Sequence, residues 1–138
     1  SKLNRKTTKM KENELSSMII GCAIDVHTEL GPGLLESVYE ECLYFELINL
    51  GFKVEIQKPI PIFYKGEKLE SKLRLDMVVE DQIIVEIKSV KELTNVHTAQ
   101  ILTYLKLSDI QLGLLINFNE YRIKNGLKRF INSKYKQE

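Results

Sequence analysis

The stretch LRLDMVVEDQIIVEIKS, residues 73–89, decides how this chain folds. It divides into two short apolar runs, 73–80 and 82–89, separated by a turn at Asp81. Every odd position is apolar: Leu73, Leu75, Met77, Val79, Ile83, Val85 and Ile87. Side chains alternate faces along a strand, so Asp76, Glu86 and Lys88 share the opposite, even face. With the hairpin centred on Asp81, Asp76 stands across from Glu86, with Cβ atoms about 5 Å apart. Two carboxylates that close repel unless a cation lies between them, and Lys88 adds a fixed positive charge. One reading is a divalent-metal site beside an amine that handles phosphate or protons. The other is a solvated strand face with a weak cross-strand ion pair. The run Ile83-Ile84-Val85 indicates a strand buried on both faces, where aspartate is disfavoured and unpartnered charge is costly.

Upstream of the hairpin, 14–30 carries Leu15, Met18, Ile19, Cys22, Val26 and Leu30 at helical spacing. Gly31-Pro32-Gly33 breaks that helix, and lacks the lysine and spacing of a phosphate-binding loop. A second helix is expected over 35–50, with Leu35, Val38, Cys42 and Phe45 as its core stripe and Gly51 as its stop. Residues 52–57 and 60–64 read as extended, and the turn 65–68 leads into the hairpin. Downstream, 96–107 reads as a third helix capped by Thr94 or Asn95, 112–118 as a buried strand and 127–131 as one more short strand. Antiparallel strands followed by a crossover helix and another strand give an α/β domain: a mixed sheet with flanking helices.

The third helix brings a second group of residues. His97, Gln100, Ile101 and Tyr104 share one helix face, beside a stripe of Val96, Ala99, Leu102 and Leu105 expected to pack on the sheet. Gln100 and Tyr104 offer an amide and a phenol suited to phosphate oxygens or water, and His97 a phosphate contact or proton transfer. The bland reading is a polar helix edge. His27, near the end of the first helix, reads as structural.

With 138 residues the chain makes one domain. No apolar stretch approaches the roughly 20 residues that span a bilayer, and the basic start lacks a signal-peptide core. Cys22 and Cys42 are isolated within helical patterns, so a reduced, cytoplasmic setting is expected. Net charge is +1, unevenly spread. Residues 1–11 carry five Lys/Arg and no acid, residues 122–138 six against Glu138, and 12–121 a net −9. Basic arms on an acidic body are one way to hold nucleic acid; solvated ends are the alternative. The expected organisation is a basic flexible segment 1–12, a folded domain 13–131 and a frayed tail 132–138.

The run Val26-His27, then Glu29-Leu30-Gly31-Pro32-Gly33-Leu34-Leu35-Glu36-Ser37-Val38-Tyr39-Glu40, resembles the signature of the GxxExxY proteins, a branch of the PD-(D/E)XK nuclease superfamily. The resemblance continues through Arg74-Leu75-Asp76, Val85-Glu86-Ile87-Lys88, His97-Thr98-Ala99-Gln100, Tyr104-Leu105 and Gly113–118. It implies a restriction-endonuclease-like αβββαβ core. It implies Asp76, Glu86 and Lys88 as the acidic, acidic and lysine positions of the motif, and Glu36 as the acid of the first core helix. Gln100 and Tyr104 match the Gln-x-x-x-Tyr helix of exonuclease-like members. Leu75 stands where the superfamily name has proline.

The implied chemistry is hydrolysis of phosphodiester bonds, in DNA ahead of RNA, by a metal-activated water. Mg²⁺ or Mn²⁺ would be held by Asp76, Glu86 and the backbone carbonyl of Ile87, with Glu36 at a second metal or an outer-shell water. Lys88 acts on the water or on developing charge. Arg74, His97, Gln100 and Tyr104 are the substrate-binding candidates. Two other classes stay open: a non-catalytic nucleic-acid or protein-binding module on the same fold, and a structural homo-oligomer such as a homodimer, which apolar helix faces permit.

Overall fold

A computed structural model describes residues 10–136. Most of the basic segment expected over 1–12 lies outside the described residues, as do Gln137 and Glu138. Helix α1 (Glu12–Leu30) ends where Gly31, at φ 71°, takes a conformation that costs glycine little, and its N–H caps the His27 carbonyl. Helix α2 (Glu36–Asn49) follows. Then come β1 (Val54–Pro59), β2 (Ile62–Tyr64), β3 (Glu67–Leu69), β4 (Arg74–Val79) and β5 (Ile83–Lys88). Helix α3 (Asn95–Ser108), β6 (Leu112–Asn117) and β7 (Leu127–Ile131) follow among the described residues, with short 3₁₀ turns at Ile123–Gly126 and Ser133–Tyr135.

Five strands form one sheet in the order β1-β4-β5-β6-β7; β2 and β3 make a separate two-stranded ribbon. Only β5 and β6 run parallel, joined through α3; the other neighbours are antiparallel. The β4–β5 register is the one the alternation predicts, Met77 facing Val85, Val78 facing Ile84 and Val79 facing Ile83. Helices α1 and α2 cover one sheet face through Leu15, Ile19, Tyr39, Leu43 and Leu47, over Met77, Val79, Val85, Ile87, Leu114 and Ile116. Helix α3 covers the other face, with Tyr104 and Leu105 over Val78 and Ile84. Gly113 admits α3 closely: a Cβ there would stand 2.9 Å from Ile101 Cδ1.

Two apolar stripes differ from the sequence reading. The expected α2 stripe faces outward, with Leu35 73% and Phe45 61% exposed, while Tyr39, Leu43 and Leu47 are buried. Tyr39 decides the rotation: its ring stacks on Phe118 at 4.6 Å, and its hydroxyl donates to the Gly31 carbonyl. On α3, Val96, Ala99 and Leu102 are exposed, and Ile101, Tyr104 and Leu105 meet the sheet. Of the segment 132–138 expected to fray, residues 132–136 are described. Asn132 is buried, donates to the Leu105 and Ile110 carbonyls, and starts the turn Ser133–Tyr135.

Candidate active site

The strict alternation of β4 breaks at Asp76. Met77 and Val79 pack toward α1 and α2, but Leu73 and Leu75 pack with Val78 and Ile84 on the α3 side. The expectation that all four share one face is therefore corrected. The physical reason lies in the backbone around Asp76. On β1, the residue between the rungs Ile56–Met77 and Lys58–Leu75 is Gln57, at φ 50°. On β5, the Asp76 N–H donates to Glu86 Oε2 and the Ile87 N–H donates to Asp76 Oδ2, each at 2.9 Å. The two carboxylates thus satisfy backbone donors where the strands part, and Asp76 sits at the change of face.

A cavity of about 270 Å³ opens there, lined by Glu36, Ser37, Glu40, Gln57, Asp76 and Ile87. Glu36 comes from the first turn of α2, and its carboxylate accepts the Ser89 N–H at 3.2 Å. Ser89 in turn donates its hydroxyl to the Leu34 carbonyl at 2.6 Å. The Tyr39 hydroxyl donates to the Gly31 carbonyl at 2.6 Å and accepts the Leu34 N–H at 3.1 Å. The α1–α2 connection is thereby stapled to the end of β5, which fixes Glu36 beside the cavity.

Burial dominates the electrostatics. Burial, then the Asp76 charge, pushes the Glu86 carboxyl up to about 8, against the pull of the Asp76 N–H and the Lys88 ammonium. Burial also raises Asp76, with Glu36 adding to it while the Ile87 N–H and Lys88 oppose it. Glu86 is buried and Asp76 half-buried, so both resist ionisation and the pair favours holding a proton. Lys88, half-buried at the end of β5, acts on both.

Other candidates fall at the margin of this centre. Tyr104 is buried beneath α3; burial and then the charges of Glu86 and Asp76 raise its hydroxyl, which Gln100 hydrogen-bonds. Arg74 is exposed at the start of β4 and reaches the Gln57 carbonyl at 3.4 Å. His97 is engaged locally: its Nδ1 accepts the Thr94 N–H at 3.0 Å in a capping box that starts α3. His27 bonds the Glu120 carbonyl at 2.7 Å, a structural contact.

Two residues escaped the sequence reading. Glu40 lines the cavity one helical turn after Glu36, and burial raises its carboxyl. The i, i+4 spacing from Glu36 was the available signal. Gln57 donates to Glu40 at 2.8 Å and hydrogen-bonds Asp76, so one amide bridges two site carboxylates. No pattern in the sequence marked it, because its role follows from the positive φ on β1. A larger cleft of about 550 Å³ lies between α1 and α2, lined by Val26, Leu30, Cys42 and Phe45 among acidic neighbours, and none of the site residues reaches it.

The donor set suits a hard cation. Asp76, Glu36 and Glu40 bring carboxylate oxygens to the cavity, Glu86 bonds the Asp76 N–H beside it, and burial raises three of the four, Asp76, Glu86 and Glu40. Among the described residues, no three His, Cys, Asp or Glu side chains form a ready metal cage. Mg²⁺ does not require one, since it keeps several waters and takes one or two carboxylates plus substrate phosphate.

A five-stranded mixed sheet between helix layers, with paired acids and a lysine on its central hairpin, defines a restriction-endonuclease-like α/β domain. The family model of the PD-(D/E)XK nuclease superfamily matches residues 13–130, and the chain belongs to that superfamily. Its members are generally nucleases and typically use divalent metals. No curated protein and no solved structure matches the chain. Among the described residues, no helix is long and apolar enough to cross a membrane, and both cysteines are free.

Proposed function

We propose that this protein is a metal-dependent nuclease of the GxxExxY branch, acting on DNA ahead of RNA in the cytoplasm. The observation that carries this reading is the hydrogen-bonded pair of half-buried Asp76 and buried Glu86. Burial raises both carboxyls, the Asp76 charge adding to it at Glu86 and the Glu36 charge at Asp76, a costly arrangement for which stability gives no reason. Asp76 and Glu86, with the Ile87 carbonyl, would hold Mg²⁺ or Mn²⁺, and Glu36 and Glu40 would bind an outer-shell water or a second ion. When bound, the ion would lower the pKa of a water and neutralise charge at the scissile phosphate.

The chain's own residues supply the rest. Lys88, whose charge acts on both carboxyls, would orient that water or stabilise negative charge growing on the phosphate. Gln100 and Tyr104 position the phosphodiester from α3, and Arg74 meets the strand at the open end of β4. Gln57 keeps Asp76 and Glu40 apart and oriented. The deciding experiment is cleavage of a panel of labelled single- and double-stranded DNA and RNA with Mg²⁺ or Mn²⁺. Metal-dependent cutting of at least one substrate is expected. A panel left intact under both metals, by protein that binds it, would favour the non-catalytic binding module instead.

A further inference from the structure

The β2–β3 ribbon, Ile62–Tyr64 paired with Glu67–Leu69, stands apart from the main sheet. Its turn is the tight kind that suits hairpins, with Lys65 at φ 49° and Gly66 at φ 83°. Its base is fastened: Pro59 pairs with Arg74, the Ile60 N–H donates to the Leu73 carbonyl at 3.0 Å, and Ile60 is buried. Beyond that base, residues 63–70 are all exposed. Phe63 is 64% and Tyr64 59% exposed, and Lys65 lies over the Tyr64 ring at 5.5 Å. Neighbouring residues of a strand point to opposite sides, so the ribbon shows an aromatic face on each side.

Charge selects what meets these rings. From the ribbon to the start of β4 the chain carries Lys65, Lys68, Lys72 and Arg74, against Glu67 and Glu70. The opposite is true of α1, α2 and their connection, where residues 12–52 hold eight carboxylates and no lysine or arginine. A polyanion is repelled from the helices and drawn to the ribbon. Lys68 and Asp76 are eight residues apart, at most about 27 Å of extended chain. That is less than one turn of a nucleic-acid duplex, about 34 Å.

We propose that the ribbon grips unpaired bases, so that the strand delivered to the Asp76–Glu86 centre is single-stranded or frayed. Phe63 and Tyr64 stack on bases, which only bases outside a duplex allow, and the lysines follow the backbone. This deepens the nuclease reading and rests on it for the class of substrate.

The test uses full-length protein carrying Asp76→Asn, so that nothing is cut, and a fluorescein-labelled strand of about 20 nucleotides, longer than a typical single-strand site. Anisotropy compares this strand with the blunt duplex of the same length. Adding Phe63→Leu with Tyr64→Leu keeps apolar bulk but removes the π-faces. It should weaken single-strand binding about tenfold or more and duplex binding about twofold at most. Equal losses on both substrates, or no loss on either, overturn the proposal. So does a self-associating protein that Phe63→Ala with Tyr64→Ala turns monomeric while strand affinity holds, because the ribbon is then a protein contact. Cleavage by the wild-type active site is scored separately. Ribbon-dependent binding without any cutting fails the nuclease reading alone, and cutting with ribbon-independent binding fails this proposal alone.

Discussion

The Asp76 N–H donates to Glu86 Oε2 at 2.9 Å, so the acid of one strand holds the backbone of the other where the β4–β5 ladder opens. The contact links the fold to the chemistry. The carboxylates are both ladder partners and charged groups, and each fixes the position of the other.

The first prediction concerns pH. Burial raises both carboxyls in the folded protein, Glu86 to about 8 from the ordinary 4.5 of a free glutamate. Between those values the folded state binds more protons than the unfolded chain, so metal-free stability must fall as pH rises from about 4.5 to about 8. The loss is on the order of a few kcal/mol. Urea unfolding in EDTA at pH 5.5 and 8.5 measures it. Glu86→Gln should flatten most of the dependence, and equal stability of the wild type at both values would count against a strained pair.

Metal should reverse that loss. An ion that binds only the folded state stabilises it in proportion to the logarithm of its concentration. Millimolar Mg²⁺ or Mn²⁺ should therefore raise Tm at pH 8.5 by more than at pH 5.5, where protons compete for the same oxygens. Asp76→Ala should abolish the shift. A wild-type Tm indifferent to both metals at pH 8.5 would remove the metal from the scheme.

Tyr39→Phe tests how Glu36 is positioned. The change keeps the stack on Phe118 but leaves the Gly31 carbonyl and the Leu34 N–H without their shared partner. A cost of about 1–3 kcal/mol is expected. Cleavage at a temperature where the variant is fully folded should also drop, since the same loop carries Glu36 and accepts from Ser89. Unchanged activity in a folded variant would detach the staple from function.

Much of this centre was legible in the chain, for a physical reason. A strand has a period of two and a hairpin a fixed centre, so Asp81 placed Asp76 across from Glu86 without further information. Helix α2 was ambiguous because it is apolar on two sides. Leu35, Val38, Cys42 and Phe45 keep helical spacing as well as Tyr39, Leu43 and Leu47 do. Only the tertiary partner Phe118 chooses between them. Parity failed at Leu75 because a single irregular point, Gln57 against Asp76, reverses the faces beyond it. The β2–β3 ribbon was hidden by the brevity of its strands, and Glu40 by the stronger pull of Glu36.

Glycine substitutions separate the two ways into β6. In Gly113→Ala the new methyl meets the flexible end of Ile101 at 2.9 Å, whereas in Gly126→Ala it meets the Asn117 carbonyl oxygen at 2.7 Å. The first should cost about 1 kcal/mol and the second about 3 kcal/mol, because backbone yields less than a side-chain tip. Asn117 also holds the loop after Lys88, accepting the Val90 N–H and donating to the Val90 carbonyl. Paired denaturant curves would show the order, and a Gly113→Ala protein less stable than Gly126→Ala would contradict it.

The decisive measurement is cleavage by wild type, Asp76→Ala and Lys88→Ala on one substrate the wild type cuts, with metal affinity determined by calorimetry on the same preparations. Asp76→Ala should lose both metal binding and activity. Lys88→Ala should keep most of its metal affinity and lose activity by about a hundredfold or more, as expected for a group acting on charge developed in the transition state. Cleavage at the wild-type rate by both variants would show that Asp76, Glu86 and Lys88 are not the catalytic centre.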